Sequence, residues 1–286
     1  MSQSSVRIKI NPFLILIALL FFAAGKLEIF LCFYFCALCH ELFHFAACVF
    51  LKEDALCFAF YPYGINMQTK FIKNPVSHMI ISACGPLFNI TAYILCKDKT
   101  SLFSAANLFI FLLNSLPALP LDGGVFLREL VSLFKGYVIS QKIMIEITKI
   151  IGTLILFAGI ILAVFTKYNI SLLIIGVFLL YNIKNEKMQI ISLRKKIICS
   201  ETSWQSTFFK IKSIGVCESF PVLKCIDFYT YKKELVISVF SSDSRLLGRL
   251  SQGEIINIIL YGKNIKTCGE AVCKRGFLNE LQEENR

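Results

Sequence analysis

Long runs of apolar residues occupy most of the first 185 positions of this chain. A membrane-spanning helix needs about 20 mostly apolar residues, and the runs predict six such helices. Their expected limits are 11–25, 29–51, 76–96, 101–118, 147–166 and 169–183. After residue 185 shorter alternations of apolar and polar residues replace the long runs. The pattern therefore predicts a membrane-embedded part followed by a soluble part.

Two segments of the apolar part do not fit a spanning helix. Residues 56–70 contain Pro62 and Gly64 between aromatic residues, which predicts a short hairpin at the membrane surface. Residues 122–140 open with Asp122-Gly123-Gly124 and predict a shorter helix in the membrane interface.

The C-terminal part predicts a small α+β domain. Residues 234–240 alternate as a strand, 241–244 form a turn, 246–250 a second strand and 252–260 a helix. This order resembles the second half of a CBS domain, a family that often binds adenine nucleotides. The resemblance implies ATP as a ligand and Glu254 as its ribose contact, where that family usually has Asp. A docking domain without nucleotide is the alternative.

Composition agrees with a membrane protein. Hydrophobic residues make up 56% of the 286 residues and the mean hydropathy is +0.67, which is too apolar for an ordinary soluble protein. The net charge is +11, and over residues 1–199 the chain has 18 Lys and Arg against 9 Asp and Glu. If both termini are cytoplasmic, 14 of those 18 lie at or near the inner face, as the positive-inside rule requires. We therefore expect a multi-pass protein in contact with the lipid bilayer and no direct nucleic-acid partner.

The expected fold class is mainly α, a polytopic membrane protein with about six transmembrane helices and a small C-terminal α+β, CBS-like soluble domain. The first apolar run follows Arg7 and Lys9 as in a signal peptide, but no clear A-x-A site follows it, and a retained helix is favoured. The expected domains are a membrane-embedded domain over 1–185, a basic linker over 186–199 and a cytoplasmic domain over 200–286.

The second expected span contains the motif H-E-x-x-H, from His40 to His44. Residues four apart face the same side of a helix, so both imidazoles can reach one metal ion. Zinc accepts His nitrogens and leaves room for a water, and Glu41 beside them can take a proton from that water. An ionisable residue in the middle of a span costs about 2.5–3.5 kcal/mol. A catalytic metal centre is therefore favoured over a polar cluster that only packs helices.

Asp122 is the candidate third ligand. It follows Asn114, Pro117 and Pro120 in N-x-x-P-x-x-P-L-D, where the two prolines break the fourth span at its inner end. Broken backbone at membrane depth is tolerated only where it is buried in protein or lines a cavity. A carboxylate there can complete a His₂Asp site, and with Glu41 it balances the charge of Zn²⁺. An N-cap of the following helix is the alternative.

A third motif, Gly85-Pro86-Leu87-Phe88-Asn89, lies in the next span. Alone it indicates only a packed or kinked helix. Together the three motifs resemble the site-2 protease family of intramembrane metalloproteases, over residues 30–130. The resemblance implies one zinc ion bound by three ligands, a general base, and a hairpin at 56–70 that pairs with an extended substrate strand. The residues so implied are His40, His44 and Asp122 as ligands, Glu41 as base, and Asn89, Asn114, Pro117 and Pro120 as substrate-binding or site-shaping residues.

Six spans and a short C-terminal domain, with no loop that could hold a PDZ domain, resemble the branch of this family that acts in endospore formation. That branch implies a membrane-tethered pro-sigma factor as substrate and inhibitory membrane partners, and it leaves a homo-oligomer open. The alternatives are a site-2 type protease with another membrane substrate and a membrane metal transporter. A di-iron oxygenase needs more histidines than the three present, and a catalytically dead scaffold would not need an intact H-E-x-x-H.

Overall fold

The computed structural model describes residues 7–53, 55–61, 64–69, 74–165, 171–199, 210–230, 233–261 and 265–273. Its contacts divide the chain into two units. The first comprises Met1–Leu130 and Met144–Ile183, and the second comprises Val131–Ile143 and Lys184–Arg286.

The first unit is mainly helical. It contains β1 (Arg7–Ile10), α1 (Phe13–Ala23), α2 (Leu27–Phe50), β2 (Ala55–Tyr61), β3 (Gly64–Thr69), α3 (Pro75–Leu95) and α4 (Leu102–Asn114). The antiparallel pairing of β2 with β3 confirms the expected hairpin, although Pro62 lies outside the described residues. The strand β1 lies parallel to β2 and extends this sheet.

Three further helices contribute residues to both units. They are α5 (Asp122–Lys135), α6 (Tyr137–Phe165) and α7 (Ser171–Cys199). In the first unit, α6 and α7 approach closely at glycines, since a Cβ on Gly159 would lie 2.5 Å from the backbone nitrogen of Leu173. Such close backbone contact at small residues is typical of helices that pack in a membrane.

Among the described residues, three helices are long and apolar enough to cross a membrane, namely α2, α3 and α6. The prediction of about six spans is confirmed only to that extent. The apolar helices α1 and α4 have 11 and 13 residues, which at about 1.5 Å per residue is shorter than a hydrocarbon core of about 30 Å. Large apolar side chains such as Phe35 and Phe157 are 57% and 65% exposed, as expected for surfaces that face lipid.

Local sequence explains the ends of these helices. The side chain of Asn74 caps α3 by accepting from the Val76 N–H, and Pro75 takes the first helical position. The helix α4 ends at Asn114, four residues before the expected limit. Pro117 follows this end and cannot continue a helix.

The second unit contains a mixed sheet of order β4-β5-β6, from β4 (Lys210–Cys217), β5 (Lys233–Phe240) and β6 (Leu246–Ser251). The described part of this unit also contains the helices α8 (Val222–Cys225), α9 (Gln252–Tyr261) and α10 (Cys268–Cys273). Its core includes Ile237 and Leu250 of the sheet, and Val138 of α6. The predicted strand, turn, strand and helix over 234–260 are confirmed, and so is the α+β character.

Residues 186–199, expected as a linker, form the C-terminal half of α7. Arg194 on this helix donates to both carboxylate oxygens of Asp227, at 2.8 Å each, and Lys142 on α6 donates to Asp227 Oδ2 at 2.6 Å. Asp227 is buried, so its charge needs these partners. The α+β part of the second unit is therefore packed on the ends of α6 and α7 that belong to the same unit.

Candidate metal centre

The helix α2 brings the two histidines of H-E-x-x-H together. It is continuous from Leu27 to Phe50, so His40 and His44 lie one turn apart, and both are buried. Glu41 is the next residue after His40 and is half-buried. The helical placement of the motif, on which the metal-site hypothesis depends, is thus confirmed.

Three possible ligand atoms converge in the first unit. His40 Nε2 lies 3.0 Å from His44 Nε2, and Asp122 Oδ2 lies 3.0 Å and 3.3 Å from these two nitrogens. Tetrahedral ligands that are each about 2.0–2.1 Å from a zinc ion lie about 3.3 Å from one another. His40, His44 and Asp122 therefore form a group that could hold a metal ion. The carboxylate of Asp122 reaches the site from the first residue of α5.

The other nitrogen of each imidazole contacts an oxygen. His44 Nδ1 lies 2.6 Å from the carbonyl oxygen of Ile81, which can only accept. His40 Nδ1 lies 2.5 Å from Asn89 Oδ1. Both Nδ1 atoms therefore carry the proton, and the Nε2 lone pairs face each other and the carboxylate of Asp122. Lone pairs this close repel one another, and a cation among them removes the repulsion.

The amide of Asn89 belongs to a hydrogen-bond network that begins at His40 and ends at Cys36, both on α2. Asn89 Nδ2 donates to Asn107 Oδ1 at 2.8 Å, and Asn107 Nδ2 donates to Phe103 O at 2.9 Å and to Cys36 Sγ at 3.3 Å. These donors fix the orientation of both amides, so Asn89 presents its oxygen to His40. Asn89 and Asn107 are both fully buried. This hydrogen-bond network links α2, α3 and α4 on the Nδ1 side of His40.

Gly85 leaves space directly in front of the imidazoles. A Cβ at this position would lie 2.4 Å from His44 Nε2 and 2.6 Å from His40 Nε2. Only a residue without a side chain leaves this space for a metal ion and a water. Together with the converging lone pairs, this space shows that the residues fit a bound zinc ion.

The other expected site residues lie outside the group of three candidate ligands. Asn114 donates to Ile110 O of its own helix at 3.2 Å. Pro117 and Pro120 are exposed in the connection between α4 and α5. In the second unit, Glu254 Oε2 accepts from the N–H and hydroxyl of Ser251, at 2.7 Å and 3.0 Å, and its own N–H donates back. This capping box at the start of α9 is a structural role, so it adds no support for ATP.

Two residues that support the site were not predicted from the sequence. Asn107 holds Asn89, and Thr148 Oγ1 on α6 accepts from the N–H of Leu119 at 2.8 Å in the segment before Asp122. Both are polar residues within apolar helices, where they are costly without a partner, and this signal could have found them. The carbonyl of Ile81 is main chain and leaves no signal.

The chain is similar to known proteins in sequence and in fold. No protein-family model matches the sequence. Stage IV sporulation protein FB of Bacillus subtilis (strain 168) is 32% identical over 139 residues, 44% of this chain and 48% of that protein. The match thus spans about half the length of that curated relative. Among solved structures, the site-2 protease from Methanocaldococcus jannaschii aligns with a TM-score of 0.51 and 21% identity, over 73% of this chain and 98% of that chain.

These findings confirm the resemblance to site-2 proteases that the three motifs indicate. The structural match establishes a common fold. The curated match adds a resemblance to stage IV sporulation protein FB in particular.

Proposed function

We propose that this chain is a zinc metalloendopeptidase of the site-2 protease family, which cleaves a membrane-associated protein within the bilayer. The observation that carries the proposal is the convergence of His40 Nε2, His44 Nε2 and Asp122 Oδ2. Glu41 follows His40 on the same helix. The motif lies in a helix apolar enough to span a membrane. The similarity to the two proteins named above supports the same class.

In the proposed mechanism His40, His44 and Asp122 bind the metal, and Glu41 handles protons. Bound zinc supplies a Lewis acid for the scissile carbonyl and for water. The carboxylate of Glu41 accepts a proton from the attacking water and gives it to the leaving amine. Asn89 and Ile81 hold the Nδ1 protons of the two histidines, and their Nε2 lone pairs would be taken by the metal, so neither imidazole would compete with Glu41 as the base. The scissile segment must be extended, because a helix hides its carbonyls.

The proposed substrate is a membrane-tethered pro-sigma factor during endospore formation. The similarity to stage IV sporulation protein FB supports this choice, although it covers about half of either chain. The α+β part of the second unit is proposed to dock this substrate. Deleting residues 200–286 should then slow cleavage of the full-length substrate and leave zinc binding intact.

We further propose a multi-pass topology with both termini in the cytoplasm, in which α1, α4 and α7, each together with the residues that flank it, complete six spans. The distribution of Lys and Arg supports this orientation. Lys97 and Lys99 should then face away from the cytoplasm. Single cysteines at position 98 and in the tail, on a background without native cysteines, test this by labelling intact cells. Labelling of the tail from outside would contradict the orientation.

The decisive experiment compares Glu41→Gln with Glu28→Gln, a matched change in the first turn of the same helix. Each protein is co-expressed with a candidate pro-sigma factor, and cleavage is scored by gel shift. Glu41→Gln should keep its zinc and lose cleavage, whereas Glu28→Gln should cleave like the unaltered protein. Substantial cleavage by Glu41→Gln would rule out its role as base. A metal transporter would instead show zinc uptake without cleavage.

A further inference from the structure

A second buried polar cluster lies in the first unit, outside the candidate ligands. Glu129 on α5 is 2% exposed, and its Oε1 accepts from His78 Nδ1 on α3 at 3.0 Å. The same oxygen accepts from Arg128 Nε at 2.9 Å and from Arg128 Nη2 at 2.7 Å. A buried carboxylate is stable only with such partners. This cluster joins α5 to α3, and it contains the one histidine that the motifs do not include.

Glu129 shares a helix face with Asp122. The two residues are seven positions apart in α5, which is about two turns, so their side chains leave the same side of the helix. On α3, His78 and Gly85 are also seven positions apart, and Asn89 follows one turn later on the same face. Gly85 lies against the imidazole nitrogens, and Asp122 lies against the same nitrogens. The cluster and the metal centre therefore connect the same two helix faces at points about two turns apart.

The helix α3 also orients both histidines. Its Asn89 contacts His40 Nδ1, and its Ile81 carbonyl contacts His44 Nδ1. Any shift of α5 along α3 would move the Asp122 carboxylate away from the two nitrogens that α3 holds in place. Metal ligands must be held within about 0.5 Å of their productive positions. A fixed contact between α3 and α5 is thus a requirement of the site.

We propose that Glu129, through its contact with His78, is a positioning residue that sets the distance between Asp122 and the two histidines. The role concerns metal affinity and is separate from the chemical step. It rests on the proposed function only in taking Asp122 as a ligand. The contact acts together with the Thr148–Leu119 hydrogen bond, which holds the chain on the other side of Asp122.

The test measures zinc affinity of the purified full-length protein by competition with a chromogenic chelator, so it does not depend on activity. Glu129→Gln and His78→Leu should each weaken zinc binding by about 10- to 100-fold, as is usual for residues that orient a ligand. His78→Gln keeps an N–H donor and should stay close to the unaltered protein. Glu146→Gln removes an exposed carboxylate paired with Lys149 on α6 and should have no effect. The double variant His78→Leu/Glu129→Gln should be no weaker than the worse single variant.

The variant Asp122→Asn distinguishes an error in the positioning role of Glu129 from an error in the assignment of Asp122 as a ligand. If Asp122→Asn weakens zinc binding but Glu129→Gln and His78→Leu do not, the positioning role is wrong and the proposed function stands. If Asp122→Asn binds zinc normally, both the ligand assignment and the positioning role are wrong. If Glu129→Gln does not fold, the comparison of His78→Leu with His78→Gln decides, because His78 is partly exposed. Equal affinities for these two folded variants would contradict the proposal.

Discussion

His40 Nδ1 donates to Asn89 Oδ1 across 2.5 Å, between two buried residues on neighbouring helices. Asn89 in turn donates to Asn107, so the amide cannot rotate without losing two hydrogen bonds. The proton on His40 is therefore fixed on the side away from Asp122. Partners of this kind set both the tautomer and the direction of a metal-binding imidazole.

Replacing Asn89 by Leu should weaken zinc binding by about 10- to 100-fold, because His40 loses the acceptor that holds its Nδ1 proton. Chelator competition on the purified protein measures this. Asn182→Leu is the matched control, since the amide of Asn182 donates to Phe178 O on its own helix. Equal zinc affinity in the two variants would contradict the role of Asn89.

Gly85→Ala should abolish zinc binding while leaving the helices folded. The added methyl would lie 2.4 Å from His44 Nε2, which is the space that the metal needs. Gly253→Ala is the control, because a Cβ there meets nothing within 4 Å. Zinc content by atomic absorption, with circular dichroism for helicity, measures the outcome. A stoichiometric zinc content in Gly85→Ala would show that the metal is bound elsewhere.

Asp122→Ala should lower zinc content together with cleavage, since it removes one of three ligand atoms. A residue that only capped α5 would cost about 1 kcal/mol of stability and spare the metal. Metal analysis and thermal unfolding of the purified protein distinguish these outcomes. Full zinc occupancy in Asp122→Ala would reassign the residue to the cap.

Thr148→Val should loosen the segment that leads into Asp122. It leaves the buried N–H of Leu119 without its acceptor, at a cost of about 1–3 kcal/mol. Thr153→Val is the matched control. The hydroxyls of Thr148 and Thr153 both donate to the carbonyl four residues earlier in α6, but Thr153 is exposed. Chemical unfolding should show a loss for Thr148→Val alone. A similar loss of stability in both variants would show that the effect comes from the hydroxyl bond within α6 and not from the contact with Leu119.

The contacts of Asp227 make the second unit sensitive to acid. Burial alone would raise the pKa of Asp227, but hydrogen bonds and charges from Arg194 and Lys142 outweigh it and hold the pKa below its ordinary value. A lowered folded pKa means that the stabilisation is complete above the unfolded pKa, about 3.9, and is lost as the pH falls through the folded value.

The protection factors of the amides of α8 and the turn after it, corrected for the intrinsic pH dependence of exchange, should therefore be constant from pH 5 to pH 8, because the folded pKa of Asp227 lies below about 3.9. They should fall in stronger acid. Asp227→Asn should expose this segment at all pH values, because breaking a buried ion pair costs about 3 kcal/mol. Asp243→Asn, an exposed residue of the turn after β5, should match the unaltered protein. Unchanged protection in Asp227→Asn would show that the ion pairs do not hold the segment.

Much of the site was predictable because its chemistry depends on short spacings. H-E-x-x-H puts two imidazoles on one helix face wherever the helix forms, so the sequence alone predicted that pair. The prolines before Asp122 likewise predicted a break in the chain at the candidate third ligand. The hairpin and the strand, turn, strand and helix order of the tail followed from local patterns of the same range.

Span number was less predictable, because hydropathy does not reveal where a helix ends. The run at 101–118 is apolar throughout most of its length, but α4 ends at Asn114. Likewise, 186–199 was expected as a linker because it is basic, yet basic residues are good helix formers, and α7 continues through it.

The sequence by itself determined the mainly helical character of the fold, the helix that carries His40, Glu41 and His44, and the residue types that could bind a metal. Only the tertiary structure decided that Asn89 and Ile81 hold the two imidazoles and that Glu129 meets His78. These contacts join residues 37 to 51 positions apart, and no periodicity along one chain encodes such pairs. They arise when buried polar groups must find partners, and that choice depends on how the helices pack.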